Sequence, residues 1–158
     1  DGRAVAGAIA RHAPAEIFTG AEGLGATLNG APIAPATTDI TRAIVEIGWS
    51  LRRPQAAYTE MVAAAMQLGI GTRCAGSGAL GIVETACGRL DGYIELHINA
   101  WDTAAALAIA RAAGCVASAH DSGAWLQRGN PIFVSAPAIA PALATLLEQS
   151  ERKYGRNP

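Results

Sequence analysis

The sequence predicts an α/β protein, a layered α+β sandwich in which helices flank a mixed sheet and a β-meander forms the N-terminal part. The chain is 51% hydrophobic, 16% charged and contains 18 glycines, a composition typical of a close-packed protein with helices and strands. Glycines separate short apolar pieces near the N-terminus. The second half alternates helical and extended patterns, which favours strands covered by helices. We predict one domain or fragment over residues 1–158.

The N-terminal part is predicted to be a meander of short strands. The segment RAVAGAIA, residues 3–10, has the pattern of a strand. The stretch EIFTGAEGLGATLNG, residues 16–30, carries glycines where tight turns are expected. Residues 32–39 are predicted to be a loop, and IVEIGW at 44–49 is a strand.

Helices and strands alternate in the rest of the chain. Pro54 can open a helix at its first turn, and the helical spacing that follows ends at Gly69. Ser77 is the predicted N-cap of a second helix, which stops at Gly88. The other predicted elements are a short strand or loop at 71–76, a turn and strand at 89–96, a helix at 101–114, a strand at 115–119, a loop at 121–130, a strand at 131–136 and a helix at 140–153.

Charge and apolar patterning argue against several classes of partner. The net charge is −1 and the 12 lysines and arginines form no cluster, so we expect no nucleic acid partner. No apolar run reaches the ~18–20 residues that a membrane span needs, so no membrane partner is expected. Cys74, Cys87 and Cys115 are widely spaced. We interpret them as small buried hydrophobic residues in a reducing compartment, and we expect a cytoplasmic protein.

The segment GSGALG, residues 76–81, matches the pattern G-x-G-x-x-G, and Glu95 lies 19 residues after Gly76. This spacing is close to the dinucleotide-binding fingerprint of NAD-dependent oxidoreductases. The segment before it is a poor buried strand, and the match lies in mid-chain rather than in a first strand–helix turn. Small residues that let a helix pack tightly are the favoured explanation. Ser77 lacks a nucleophile-elbow frame, so we interpret it as a helix cap.

The histidines show no metal-binding spacing with one another or with the cysteines. Of the three, His97 is the one to follow, because it shares a strand face with Glu95. Glu95 and Asp102 are both predicted at the carboxyl end of one strand, where open α/β sheets bind ligands. Carboxylates at that edge can hold Mg²⁺ together with a phosphate. The local pattern alone favours the plainer interpretation, in which Asp102 caps its helix and Glu95 is a solvated strand end.

The same segments carry a family resemblance. WDTAAALAIARAAG (101–114) resembles the Trp-Asp-x-Ala-Ala-Gly…Glu-Ala-Gly-Gly signature of the inositol monophosphatase family. GSGALGIVETACGRLDGYIEL (76–96) resembles its G-[ST]-x-A-L…A-x-G-x-x-D-[AG]-[FY]-x-E segment. The early stretch at 4–30 resembles the family's glycine-rich hairpins, and 130–147 resembles its last strand and helix. The likeness extends over essentially the whole chain, with the motifs in the family's order.

The resemblance implies a Mg²⁺-dependent, Li⁺-sensitive phosphomonoesterase built from layers of helix and sheet. By that likeness Asp102 is the catalytic, metal-binding aspartate and Glu95 binds substrate hydroxyls. The backbone of Gly76, Ser77 and Gly78 lines the substrate pocket. The expected partner is a small phosphorylated substrate, and family members are commonly homodimers. Inositol monophosphate, a 3′(2′),5′-bisphosphate nucleotide, histidinol phosphate and fructose bisphosphate are the alternatives as substrate.

The chain also departs from the family pattern. Gly78-Ala79 replaces the usual Ala-Ala, Ala106 replaces the glycine after the Trp-Asp motif, and residues 112–115 replace Glu-Ala-Gly-Gly. The family's upstream metal-binding glutamate and its Asp-Pro-[IL]-Asp-Gly-Thr motif are absent. We therefore expect either the C-terminal portion of a longer enzyme, inactive by itself, or a catalytically dead interaction or regulatory module of the same fold.

Overall fold

The computed structural model describes residues 2–118 and 125–155. In these residues, two β-sheets alternate with two layers of helices, in the order meander sheet, helices, mixed sheet, helices. The predicted fold class, a mixed sheet flanked by helices after an N-terminal meander, is confirmed.

The N-terminal meander contains four antiparallel strands in sequence order. They are β1 (Ala6–Arg11), β2 (Glu16–Ala21), β3 (Gly25–Leu28) and β4 (Ala31–Pro32). The meander lies directly on a helix that follows later in the chain, because two of its glycines leave no space for a side chain. A Cβ on Gly7 would collide with the backbone of Ala105, and one on Gly20 would lie 2.8 Å from the Ile109 Cα atom.

The second sheet is mixed and has the strand order β6-β5-β7-β9-β8. Its strands are β5 (Ile44–Ile47), β6 (Gly71–Arg73), β7 (Gly92–Ile98), β8 (Val116–Ala117) and β9 (Asn130–Ser135). Strand β5 pairs in parallel with β6 and β7, whereas β9 runs antiparallel to β7 and β8. The carboxyl ends of β5, β6 and β7 therefore share one edge of this sheet.

Helices cover both faces of the mixed sheet. They are α1 (Gln55–Gln67), α2 (Gly78–Ala86), α3 (Ala100–Ala113), α4 (Trp125–Arg128) and α5 (Ala140–Tyr154). The core between the meander, α2, α3 and the sheet contains Phe18, Ile82, Tyr93, Leu107 and Ile132. The opposite core joins α1 and α5 to the other face through Val45, Met61, Ile94, Phe133 and Leu143. None of the helices in the described residues has the length and apolarity that a membrane span requires.

A chain of ion pairs fastens the meander to α2. Arg11 contacts both Glu16 and Glu84, the latter at 2.6 Å, and Arg89 holds Glu16 at 2.6 Å. Arg73, at the end of β6, contacts Glu84 from the other side. Because Glu16 and Glu84 are buried, these pairs compensate carboxylates that would otherwise be costly to desolvate.

Two predictions are corrected by the structure. The loop predicted at 121–130 contains α4 and the first residue of β9 within its described part. Trp125 is buried there and its indole nitrogen donates a hydrogen bond to the Gly2 carbonyl oxygen at 3.3 Å, a contact across the chain that no local pattern contains. The cysteines are free, as expected, and Cys115 is buried, but Cys87 is half-buried and Cys74 is exposed because it lies in the loop that follows the edge strand β6.

Candidate active site

A cavity of about 620 Å³ lies at the carboxyl edge of the mixed sheet. Strand β5 and the loop after it form one wall, and the loop from β6 into α2 forms another. The end of β7 and the start of α3 complete it. The predicted site residues all line this cavity: Gly76, Ser77, Gly78, Glu95 and Asp102. The structure therefore brings the predicted site residues together in one cavity. The roles of these residues stay predictions.

Asp102 presents an exposed carboxylate to the cavity. Helix α3 begins at Ala100 with Asn99 as its N-cap, two residues before Asp102. The prediction that Asp102 caps the helix is therefore wrong, although a negative charge in the first turn still suits the helix dipole. Among the described residues its carboxylate has no hydrogen-bond or ion-pair partner, so its oxygens are available to a ligand.

Glu95 is buried beside Asp102 rather than solvated at a strand end as the plainer interpretation expected. Its carboxylate accepts a hydrogen bond from the Tyr93 hydroxyl, which lies on the same face of β7 two residues earlier. Burial raises the pKa of Glu95, the hydrogen bond from Tyr93 lowers it and the negative charge of Asp102 raises it, and the net result is a pKa of about 7. Near pH 7 the group can therefore accept or donate a hydrogen bond to a substrate hydroxyl.

Two glycines leave the space that this Tyr93–Glu95 pair occupies. A Cβ on Gly48, just after β5, would collide with Glu95 and lie 2.5 Å from the Tyr93 hydroxyl. A Cβ on Gly78, at the start of α2, would lie 2.7 Å from the same hydroxyl. Gly48 lies in a segment predicted to be plain strand, and sequence reasoning missed its role.

We expect the Gly48→Ala variant to displace Glu95 and to lower the free energy of unfolding by about 1–3 kcal/mol, the usual cost of overpacking. Gly71→Ala is the matched control, because a Cβ there meets its nearest neighbour at an ordinary 3.5 Å. Chemical denaturation of both variants is the measurement. Equal stabilities of Gly48→Ala and Gly71→Ala would contradict the packing described here.

The glycines of residues 76–81 are explained by packing and by backbone conformation. Ser77 caps α2 by accepting a hydrogen bond from the Leu80 backbone nitrogen at 3.4 Å, as predicted. A Cβ on Gly81 would lie 2.6 Å from the Tyr93 ring. The strand before this segment, β6, is a three-residue edge strand, whereas the dinucleotide fingerprint follows a buried strand. Close packing on Tyr93 accounts for Gly78 and Gly81, whereas Gly76 has open space beside it and a φ of 80°, a conformation that favours glycine.

Glu46 holds the loop that leads to Gly76 and Ser77, and it was not predicted. Its side chain is 2% exposed and accepts hydrogen bonds from the Arg73 Nε atom at 2.9 Å and the Ala75 backbone nitrogen at 3.3 Å. The only sequence signal was a carboxylate inside an apolar strand, which requires a partner when buried. Glu46 therefore positions the loop behind the cavity.

Of the three histidines, only His97 is placed at the candidate active site among the residues that the structure describes. His97 lines the cavity together with Glu95, and β7 has an irregularity between Glu95 and Ile98 that interrupts its regular pairing. His12 is exposed in the turn after β1, and His120 lies outside the described residues.

The donor set of the cavity suits a hard cation only in part. Within residues 2–118 and 125–155, no group of three or more histidines, cysteines or carboxylates converges as a metal site would require. Asp102 nevertheless offers unpaired carboxylate oxygens to the cavity, and Mg²⁺ is commonly held by one or two carboxylates with phosphate and water as further ligands. The residues present therefore fit one side of a shared metal site.

The pKa of Glu95 leads to a pH-dependent prediction. Folded Glu95 binds its proton up to about pH 7, whereas the ordinary value is 4.5, so this group lowers stability as pH rises from 4.5 through 7. We expect Glu95→Gln to match the parent below pH 4.5 and to be more stable above pH 7, by at most about 3 kcal/mol. Glu148→Gln, at a side chain 65% exposed, is the control. The free energy of unfolding of each protein is measured at pH 4.5 and at pH 8. If the difference between Glu95→Gln and the parent is the same at both pH values, the raised pKa of Glu95 is contradicted.

Comparison with known proteins extends this picture. The family model described as the inositol monophosphatase family matches residues 1–152. An inositol-1-monophosphatase of Synechocystis is 41% identical over 110 residues, which cover 67% of this chain and 38% of that protein. A Nus factor SuhB of Xylella fastidiosa is 36% identical over 63% of this chain and 37% of its own length.

The fold is also similar to that of a solved inositol monophosphatase structure. The inositol monophosphatase from Anabaena (Nostoc) aligns with a TM-score of 0.80 and 32% identity, over 92% of this chain and 59% of that one. The chain thus spans less than two thirds of the length of each of these three relatives. Because the family model covers nearly all of the sequence, the chain belongs to the inositol monophosphatase family.

Proposed function

We propose that this chain supplies the substrate pocket and one metal-binding carboxylate of a Mg²⁺-dependent phosphomonoesterase that acts on a small ester such as an inositol monophosphate. The observation that carries the proposal is the Asp102 carboxylate, which has no partner among the described residues and lines the same cavity as the buried Glu95. A carboxylate that has no protein partner and opens into a polar cavity is suited to a cation brought in with a phosphate.

Each residue has a distinct task in this proposal. The chemistry that Mg²⁺ supplies when bound is neutralisation of phosphate charge and activation of water. Asp102 binds the cation. Glu95 accepts hydrogen bonds from substrate hydroxyls, and the Tyr93 hydroxyl fixes its orientation. The N-terminus of α2, at Ser77 and Gly78, offers backbone donors and a positive dipole end to the substrate.

A second candidate function is a regulatory module without catalysis. It is supported by the relatives whose name is Nus factor SuhB, among them one that is 36% identical. Among the described residues that line the cavity, Asp102 is the one exposed carboxylate. Because one carboxylate holds Mg²⁺ weakly, this observation also supports the regulatory function. Under this proposal Asp102 contributes to the start of α3 and not to metal binding.

Phosphate release from inositol 1-phosphate, an adenosine 3′,5′-bisphosphate, histidinol phosphate and fructose 1,6-bisphosphate tests the proposal. We expect Mg²⁺-dependent release by the protein as its natural gene encodes it. The 158-residue chain is expected to release none above background, because one carboxylate holds Mg²⁺ weakly. If the gene product hydrolyses none of the four esters, the phosphatase proposal is overturned in favour of the regulatory one. Robust release by the 158-residue chain would overturn the expected inactivity.

A further inference from the structure

A second cavity, of about 370 Å³, adjoins the candidate active site. It lies where the loop after β5 meets the end of β7 and the segment between α4 and β9. Its lining includes Arg52, Arg53, His97 and Arg128. Arg52 and His97 also line the first cavity, so the two spaces share a wall. A group bound in one can therefore be covalently connected to a group bound in the other.

The charged residues of the second cavity are all basic in the part of the chain that the structure describes. Among residues 2–118 and 125–155, three arginines and no carboxylate line it. Neither Arg52 nor Arg128 forms an ion pair with any carboxylate of the described residues, and both side chains are exposed. Arg53 is anchored through its Nε atom to the Leu96 carbonyl oxygen at 3.3 Å. Guanidinium groups without acidic partners in a concave space are suited to phosphate, which they bind in a bidentate manner.

Two backbone segments approach each other closely beside this cavity. Gly129 has a φ of 68°. A Cβ at that position would lie 2.6 Å from the Ile98 carbonyl oxygen and 2.9 Å from the His97 Nε2 atom. Glycine thus lets the segment after α4 approach the end of β7 closely, which brings Arg128 to the cavity. Burial lowers the pKa of His97, and the positive charges of Arg52 and Arg53 lower it further.

The two cavities have opposite character. The first contains three carboxylates, Glu46, Glu95 and Asp102, besides the shared Arg52 and His97, whereas three arginines line the second. A cation-assisted phosphate group belongs on the acidic side, where a metal ion screens it from the carboxylates. A second phosphate on the same molecule would be repelled there and attracted by the arginines next to it.

We infer that the cavity lined by Arg52, Arg53 and Arg128 is a subsite for a second phosphate group, and that the preferred substrate is a doubly phosphorylated small molecule. This inference rests on the proposed phosphatase function and narrows its substrate class. Arg52 lies at the junction of the two cavities and contacts the linking part of the substrate. Arg128 lines the second cavity and is not among the described residues that line the first, so it contacts the second phosphate alone.

Matched ligand pairs test the inference. Calorimetry in millimolar Mg²⁺ compares glucose 6-phosphate with glucose 1,6-bisphosphate and adenosine 5′-phosphate with adenosine 3′,5′-bisphosphate, with inorganic phosphate as a fifth ligand. The 158-residue chain is compared with Arg128→Gln. Arg42→Gln is the control, since Arg42 is an exposed arginine at the opposite end of β5. Proton NMR follows the pKa of His97, with the exposed His12 as internal control.

We expect at least one bisphosphate to bind about tenfold more tightly than its monophosphate partner, as one charged hydrogen bond can supply. Arg128→Gln should remove that advantage without changing monophosphate affinity, and Arg42→Gln should retain it. The bisphosphate should raise the pKa of His97 and leave that of His12 unchanged. Equal affinities within both pairs, or equal behaviour of the two variants, would overturn the inference. The inference would also be overturned if inorganic phosphate bound as tightly as the bisphosphates and raised the pKa of His97 by the same amount, because the cavity would then be a site for free phosphate.

Kinetics of the natural gene product separate this inference from the function on which it rests. If both members of a pair are hydrolysed with equal kcat/KM and Arg128→Gln changes neither, the subsite is overturned and the phosphatase stands. If the gene product hydrolyses neither member of either pair and none of the four esters named above, although the bisphosphate binds more tightly, the phosphatase is overturned and the cavity is an anion site without a catalytic role.

Discussion

Replacing Asp102 by asparagine is expected to reduce Mg²⁺-dependent phosphate release by about a thousandfold, in the protein as its natural gene encodes it. Metal ions contribute several kcal/mol of transition-state stabilisation, and each 1.4 kcal/mol is a factor of ten in rate. Asparagine keeps the size of the side chain and removes its charge. Phosphate release at saturating substrate, measured over a range of Mg²⁺ concentrations, reports the loss.

The same variant separates the catalytic role from the helix role. Asp102 makes no capping hydrogen bond, and Asn99 is the N-cap of α3, so the lost charge should cost at most about 1 kcal/mol of stability. Asp39→Asn is the matched control, because Asp39 is an exposed aspartate that caps a short 3₁₀-helix, Ile40–Arg42, before β5. An Asp102→Asn protein that is unstable, or that retains full activity, would contradict the assignment of Asp102 to the metal.

Replacing Glu46 by alanine is expected to give the largest loss of stability among the variants considered, about 2–4 kcal/mol. The change removes a buried carboxylate, leaves a cavity and deprives Arg73 and the Ala75 backbone nitrogen of an acceptor. Arg73 is 40% exposed and keeps Glu84 as a partner, which limits the cost. Urea denaturation measures it.

Glu60→Ala is the control for this prediction. Glu60 also forms an ion pair, with Lys153 at 2.7 Å, but both side chains are more than half exposed. Exposed pairs contribute about 0–1 kcal/mol. Similar losses in the two variants would show that Glu46 is not a buried anchor. The Glu46→Gln variant, which keeps an acceptor for Ala75, should retain more substrate affinity than Glu46→Ala.

Much of the fold could be predicted because its signals are local. The helix start at Ser77, the helix end at Gly114 and the glycine-punctuated meander each depend on a few adjacent residues. The placement of Glu95 and Asp102 in one cavity follows from their positions at the end of β7 and the start of α3.

The features that were missed depend on distant partners. Helix α4 is short and is fixed by Trp125, whose contact with Gly2 spans 123 residues. The partner of Glu46 is Arg73, which lies 27 residues later in the chain. Gly48 is required because the Tyr93–Glu95 pair fills the adjacent space. A single sequence gives the chemical type of these residues but not the neighbour that explains them.

The basic cavity illustrates the same limit on function. Arg52 and Arg53 are adjacent in the sequence, but Arg128 lies on a different element, and the sequence shows no cluster of basic residues. Only the folded arrangement of β7 and the segment after α4 brings the three guanidinium groups to one space.

Paramagnetic NMR with Mn²⁺ tests the central claim, that Asp102 binds a divalent cation together with phosphate. The 158-residue chain would be titrated with millimolar Mn²⁺, without and with glucose 6-phosphate, and compared with Asp102→Asn. We predict broadening that begins at the amide signals near Asp102 and Glu95, strengthens when the ester is added, and disappears in the variant. Broadening that is centred elsewhere, or that persists unchanged in Asp102→Asn, would contradict the account.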